Sequence, residues 1–149
     1  MEESSIIVIG IEALRVQEDI GKAIIPIIRT GNIDITSSVD YSINGNVARS
    51  GQDFISISDT LIFAPGDTEQ EITVDIIDDS IFETDESFSL AIGNPTGAVL
   101  GDIRTAIVTI EDDDVISENT LAFSQAEYSI SEAENIATIT ITNVSSTKI

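Results

Sequence analysis

An all-β sandwich of antiparallel strands is the fold this sequence predicts, and three observations carry it. The 149 residues include 29 isoleucines with many valines and threonines beside them, and β-branched side chains favour strands over helices. Apolar residues recur with period two, the signature of half-buried strands. Turn chemistry separates the apolar runs at the spacing of a sandwich.

The first strand is expected over 6–17, broken near Gly10, and the second over 22–29, with Ala23, Ile25 and Ile27 alternating. A third over 38–44 ends at Asn44-Gly45, and a fourth spans 53–63 with a kink. Ala64-Pro65-Gly66-Asp67 then turns the chain into a fifth at 70–77, where Ile72, Val74 and Ile76 alternate with Thr73 and Asp75. The sixth, 86–93, alternates Phe88, Leu90 and Ile92 with Ser89 and Ala91 and stops at Asn94-Pro95-Thr96-Gly97. The seventh, 104–111, alternates Ala106, Val108 and Ile110 with Ile107 and Thr109. In these turns Pro presets φ and Gly supplies positive φ. No segment reads as a helix. The expected architecture is a seven-stranded antiparallel immunoglobulin-like β-sandwich, without the Cys–Trp–Cys core of antibody domains, since the chain has neither residue.

An internal repeat follows. Leu14-Arg15-Val16-Gln17-Glu18, with Ala23, Ile25 and Ile27 after it, recurs 114 residues later as Tyr128-Ser129-Ile130-Ser131-Glu132, with Ala137, Ile139 and Ile141. That offset matches the length of the domain already drawn. Residues 5–114 are therefore expected to form one domain, and 115–149 a linker and the first two strands of a second, truncated repeat. An isolated pair of strands is marginal in water. Its apolar face (Tyr128, Ile130, Ile139, Ile141) is expected to pair with another molecule through residues 119–149, giving a homo-oligomer; a flexible tail is the alternative.

Composition narrows function by exclusion. Against 27 Asp and Glu stand 6 Lys and Arg, a net charge of −21. That excludes nucleic acid as a partner, because phosphate neutralisation needs clustered basic residues, and disfavours anionic membranes. The chain is 42% hydrophobic with positive mean hydropathy, so it is no acidic disordered tail. Without His or Cys there is no zinc site, disulfide, thiol chemistry or His-based triad. No apolar run is long enough to span a bilayer, so no direct membrane insertion is expected. Met1-Glu2-Glu3-Ser4 does not open a signal peptide, and the abrupt start suits a segment of a longer chain.

The carboxylates gather in two runs. Asp78-Asp79-Ser80-Ile81-Phe82-Glu83-Thr84-Asp85-Glu86 joins the fifth and sixth strands, and Glu111-Asp112-Asp113-Asp114 ends the seventh. Up-and-down counting places both at one pole, together with Glu18 after the first strand and Asp53 at the opening of the fourth. So many like charges repel unless cations sit among them. Only oxygen donors are on offer. Ca²⁺ takes roughly 6–8 of them in flexible geometry, while Mg²⁺ demands stricter octahedral coordination. More carboxylates than one ion uses suggests about two to four Ca²⁺ with shared ligands. The bland alternative is a solvated acidic surface.

At these residues the chain resembles the Calx-beta domain, a calcium-binding β-sandwich of sodium–calcium exchangers, an integrin β subunit and bacterial surface proteins. The resemblance spans roughly residues 5–114. It rests on Gly51-Gln52-Asp53-Phe54, Phe63-Ala64-Pro65-Gly66-Asp67, the stretch from Ile76 to Phe88, Asn94-Pro95-Thr96-Gly97-Ala98 and Val108-Thr109-Ile110-Glu111-Asp112-Asp113-Asp114. It implies calcium ligands at Glu18, Asp53, Asp78, Asp79, Glu83, Glu86, Asp112, Asp113 and Asp114, with the Ile81 carbonyl as a backbone ligand. Phe54 stands where the family has Tyr, and Ser80 where exchanger domains often carry another Asp. The implied function is a non-enzymatic calcium-binding module of a larger multi-repeat protein, secreted or at the cell surface, touching adjacent repeats. Two rivals are a metal-independent structural or adhesion repeat and a two-carboxylate glycoside hydrolase using Asp79 and Asp113. Scarce aromatics (5%, no Trp) speak against the hydrolase.

Overall fold

The computed structural model describes residues 3–116, 119–123, 133, 136 and 138–145. They fall into two compact units, Met1–Asp114 and Val115–Ile149.

The first unit is the expected sandwich of two sheets. Its strands are β1 (Ile6–Ile9), β2 (Ala13–Gln17), β3 (Lys22–Thr30), β4 (Ser37–Gly45), β5 (Ser58–Phe63), β6 (Glu69–Asp75), β7 (Glu86–Thr96), β8 (Val99–Leu100) and β9 (Thr105–Glu111), with a 3-10 turn at Glu18–Ile20. One sheet runs β6-β3-β1-β8 and the other β2-β9-β7-β4-β5. Each strand turns one face inward. Ile7, Ile9, Ile25, Ile27, Val39, Leu90 and Val108 are fully buried, and Phe54 stacks on Phe88 with ring centroids 4.6 Å apart. Burying each such side chain contributes about 1.5–3 kcal/mol.

Seven expected strands become nine, and not all pairings are antiparallel. The strand expected over 6–17 is two strands in different sheets: β1 pairs with β3, while β2 crosses over and pairs parallel with β9. Gly10 marks the crossing, where its N–H donates to the Pro26 carbonyl at 2.7 Å and an added Cβ would lie 3.1 Å from the Pro26 and Ile28 side chains. The short β8 also pairs parallel, with β1. The fourth strand starts at Ser58 rather than 53, because residues 53–55 pair instead with the end of β6: the Ile55 N–H donates to the Asp75 carbonyl, the Asp53 carbonyl accepts the Ile77 N–H, and Phe54 forms a bridge to Ile76. Pro95 lies inside β7, which a proline cannot do in a regular central strand. Here the β4–β7 register slips between Ser38 and Asp40, and Asn94, at φ 46°, donates to Asp40 Oδ2 at 3.1 Å.

One buried cation organises the end of the sandwich where β3 finishes. Arg29 is 1% exposed, and its five N–H donors are all used. Nε reaches the Asp67 carbonyl (2.7 Å), Nη1 the Ile35 carbonyl and Ser37 Oγ, and Nη2 the carbonyls of Ile33 and Ala64. The guanidinium also lies 5.3 Å from the centre of the Phe63 ring. This one side chain ties the 31–36 loop to the turn at 64–67.

In the second unit β10 (Asn119–Phe123) pairs antiparallel with β11 (Ile141–Ser145), from Thr120 opposite Val144 to Phe123 opposite Ile141. Shifting the β1–β3 partners by 114 residues, Ile6 with Thr30 and Ile9 with Ile27, gives this same register. Tyr128, Ile130, Glu132 and Ala137 lie outside the described residues.

Lysine at position 29 keeps the charge but reaches fewer of the five acceptors. Arg29→Lys is expected to destabilise the first unit by about 2–3 kcal/mol, since buried carbonyls lose their donors. Urea unfolding measures it, and a loss below about 0.5 kcal/mol would show that the fork geometry does not matter.

Candidate metal centre

Strand register carries the carboxylates to the opposite end. Because β2 and β9 run parallel with Gln17 opposite Glu111, Glu18 and Asp112 leave adjacent strand ends side by side. Glu86 opens β7 opposite Ile110, two residues before Asp112. Asp53 is brought in by its backbone: its carbonyl accepts the Ile77 N–H at 3.0 Å, and the neighbouring Phe54 forms a β-bridge to Ile76. Gly21, at φ 75°, closes the turn holding Glu18, and its carbonyl accepts the Ile76 N–H.

Two groups result. Carboxylate oxygens of Glu18, Asp112 and Asp114 all lie within 4.8 Å of one another. Glu18 and Asp112 also line a space of about 10 Å³ with Asp53, Glu83 and Glu86, room for a single water or ion. Beside it a cavity of about 200 Å³ is lined by Asp53, Asp79, Ile81, Glu83, Glu86 and Arg49. Asp78, Asp79, Glu83 and Asp113 are exposed. The Asp79 N–H donates to Glu18 Oε1 at 3.2 Å, and Ile81 enters through its amide, which donates to Asp79 Oδ1 at 2.7 Å. Asp113 falls outside the three-carboxylate group and instead feels the charges of Asp19 and Asp78.

The electrostatics match the crowding. Burial pushes the Glu18 carboxyl up to about 7; the Asp79 amide opposes this, and the charges of Asp79, Asp112 and Asp114 reinforce it. Glu86 is also pushed up to about 7, first by burial and then by Asp53 and Glu83, against the pull of Arg49. Asp113 and Asp114 are raised too, by desolvation and then by neighbouring carboxylates. Three oxygens, Glu86 Oε2, Asp112 Oδ1 and Asp114 Oδ2, are buried without a hydrogen-bond partner. Leaving carboxylate oxygens so is costly, and an oxygen-only donor set suits a hard divalent cation.

Four participants escaped the sequence reading. Arg15, exposed on β2, takes Asp85 at 2.7 Å and Glu111 at 2.5 Å, and Gln17 takes the other Glu111 oxygen at 2.9 Å. Two members of the acidic runs are thereby engaged elsewhere, through exposed pairs of small energetic weight. Arg49, whose N–H is accepted by Asp53 Oδ2 at 2.6 Å, brings positive charge beside Glu86. Asp19 adds a further carboxylate next to Glu18. Alternation along β2 hints at Arg15 and Gln17; four-residue spacing alone hints at Arg49.

Fold and site together define a β-sandwich module with a cluster of carboxylates at one pole. The chain belongs to the Calx-beta domain family, whose profile matches residues 2–114 and again 116–148. It is 34% identical over 119 residues to the sodium/calcium exchanger Calx of Drosophila melanogaster, covering 79% of this chain and 12% of that protein. Against the extracellular matrix organizing protein FRAS1 of Mus musculus it is 32% identical over 142 residues, or 89% of this chain and 4% of that one. Among solved structures, the apo form of the Calx CBD1 domain aligns with a TM-score of 0.72 at 34% identity, covering 75% of this chain and all of that one. The calcium binding domain CBD12 of CALX1.1 aligns with a TM-score of 0.71 at 32% identity, covering 86% and 53%. The chain thus spans a small part of these curated relatives.

Raised carboxyl pKa values have a definite consequence. A group near 4.5 in the unfolded chain and near 7 when folded makes the folded state bind more protons in that window. The cation-free protein is therefore expected to lose stability as pH rises from about 4.5 to about 7. Thermal melts in chelator across that range test it; a melting temperature that climbs steadily with pH contradicts these shifts.

Proposed function

We propose that the first unit is a calcium-binding module that holds about two to four Ca²⁺ at its acidic pole and is not an enzyme. The buried, partnerless oxygens of Glu86, Asp112 and Asp114 carry this reading. Glu18, Asp112 and Asp114 would hold one ion. Asp53, Glu83 and Glu86 would hold another, with Asp112 placed to serve both. Asp78, Asp79, Asp113 and the Ile81 carbonyl complete the ligand set. Bound Ca²⁺ supplies positive charge that replaces the protons on Glu18 and Glu86 and lets the loop at 78–86 close on the end of β9. Support for a non-catalytic role comes from the scarcity of aromatic side chains, 5% with no Trp, which leaves little to form a platform for a sugar ring.

The family match over 116–148 and the shared strand register support reading 115–149 as the opening of a second Calx-beta repeat. On that basis the chain belongs to a tandem array in a larger secreted or cell-surface protein, in which bound calcium orders each unit and its junction with the next.

Calcium binding only the folded state raises stability by mass action, about 2.7 kcal/mol per site at 100 times the dissociation constant. A clear rise in melting temperature with calcium over chelator is expected; an unchanged melt leaves the metal-independent structural repeat as the function. Asp112→Asn is expected to weaken calcium binding by about tenfold or more, about 1.4 kcal/mol, without lowering the melting temperature in chelator. Calorimetric titration checks the first and a chelator melt the second; unaltered affinity would remove Asp112 from the ligand set.

A further inference from the structure

The two sheets of the first unit differ on the faces they turn away from the core. The β2-β9-β7-β4-β5 sheet presents Ser38, Asp40, Ser42, Ser87, Ser89 and Thr109, with Ile62 and Ile107 set apart on strands that are not neighbours. That is the usual polar exterior of an antiparallel sheet packed over a core. The β6-β3-β1-β8 sheet departs from it. Residues 6–9 and 23–28 are unbroken apolar runs, Ile-Ile-Val-Ile and Ala-Ile-Ile-Pro-Ile-Ile, the pattern of strands covered on both faces. Ile7, Ile9, Ile25 and Ile27 fill the core, so Ile6, Val8, Ile24, Pro26 and Ile28 lie outside it. Val8 sits opposite Ile28, and Val99 beside Ile6. Ile24 and Val99 are 49% and 50% exposed.

The second unit supplies an internal comparison. At the offset of 114 residues, Ile25 and Ile27 correspond to Ile139 and Ile141, while the outward Ile24, Pro26 and Ile28 correspond to Thr138, Thr140 and Thr142. Isoleucine is kept on the inner face and threonine stands on the outer one. The apolar exterior of the first unit is therefore no requirement of this strand pairing, and both layers of its own sandwich are already in place. A contiguous apolar patch of that kind marks an interaction surface.

Charge along its flank defines the occupant. The register sets Glu69 opposite Ile28 and Glu71 opposite Pro26 on the edge strand β6, and neither makes an ion pair among the described residues. Lys22, at the start of β3, is taken by Asp75 at 2.5 Å. Asp102 and Arg104 after β8 carry opposite signs, and Glu3 ahead of β1 is negative. We infer that the outer face of the β6-β3-β1-β8 sheet is a docking surface for a segment of a partner protein whose apolar side chains are flanked by Lys or Arg. The apolar side chains pack on Val8, Ile24 and Ile28, and the cations meet Glu69 and Glu71. A second copy of this chain brings a net charge of −21 to the contact, and an anionic lipid surface is repelled by the same carboxylates.

The probe is a fluorescent leucine–lysine peptide of about 18 residues, patterned as an amphipathic helix and titrated against the full chain. Any acidic surface attracts lysine, so the variants decide. Ile24→Thr with Ile28→Thr, which copies the second unit, should weaken binding about tenfold or more. Glu69→Gln with Glu71→Gln should weaken it too and flatten its salt dependence. Asp34→Asn with Asp59→Asn, the same loss of charge at other exposed positions, should leave it unchanged, as should Ile62→Thr. Melting curves establish that each variant is folded. An environment-sensitive dye on Ile24→Cys, in a chain with no other cysteine, should report the peptide where one on Ile62→Cys does not. No binding, equal affinity for the Ile24/Ile28 variant, or an equal loss in the Asp34/Asp59 variant overturns the assignment. So does sedimentation in which the unaltered chain dimerises and the Ile24/Ile28 variant does not, which gives the face to a second copy.

Discussion

One pairing determines where the charge of this protein collects. β2 lies parallel to β9 with Gln17 opposite Glu111, so both strands end at the same level and release Glu18 and Asp112 side by side. An antiparallel partner for β9 at that edge would have sent the turn carrying Glu18 to the opposite pole. The antiparallel β7–β9 pair, with Glu86 opposite Ile110, adds the second carboxylate from the other side. Backbone geometry thus forces anions together that side-chain energetics alone would separate, and the protein answers with raised carboxyl pKa values and with oxygens lacking partners.

The two ends of the sandwich resolve buried charge in opposite ways. Arg29 is deeply buried and complete in itself, because carbonyl oxygens from two loops and the Ser37 hydroxyl meet every donor. The buried cation at that end needs nothing from solution. The acidic end contains Arg15 and Arg49, but Arg15 is spent on Asp85 and Glu111 at the exposed margin. The interior oxygens of Glu86, Asp112 and Asp114 remain unmet, although Arg49 brings positive charge beside Glu86. Rigidity at one end and an ionic demand at the other are what a responsive module requires.

Much of this was legible in the sequence, for identifiable reasons. Period-two runs such as Ile72-Thr73-Val74-Asp75-Ile76 mark strands because the buried face leaves its imprint on every second residue. The two acidic runs were legible because they sit at strand ends, where up-and-down counting predicts position. The split of 6–17 was not, since a strand that changes sheets keeps its apolar pattern throughout and Gly10 is a weak sign of the crossing. Nor was the role of Arg29, which depends on carbonyls up to 38 residues away that no local pattern records. Within the terminal triplet, sequence gives three equal aspartates. The structure separates Asp112 and Asp114, half-buried beside Glu18, from exposed Asp113.

The loop at 78–86 joins these points. Its described side-chain ties are the Asp79 amide to Glu18, the Ile81 amide to Asp79 and the Asp85 carboxylate to Arg15. The first depends on Glu18 being available to accept. The last is an exposed pair that salt weakens. Ile81 and Phe82 are 62% and 52% exposed, so hydrophobic burial does little to hold the loop in place. Ordering nine residues costs conformational entropy of about 1–2 kcal/mol each, far more than three such contacts return. On the calcium reading, ions shared among Glu18, Asp112 and Glu86 supply the missing attraction. The same carboxylates that destabilise the cation-free pole then become the means by which the loop is fixed.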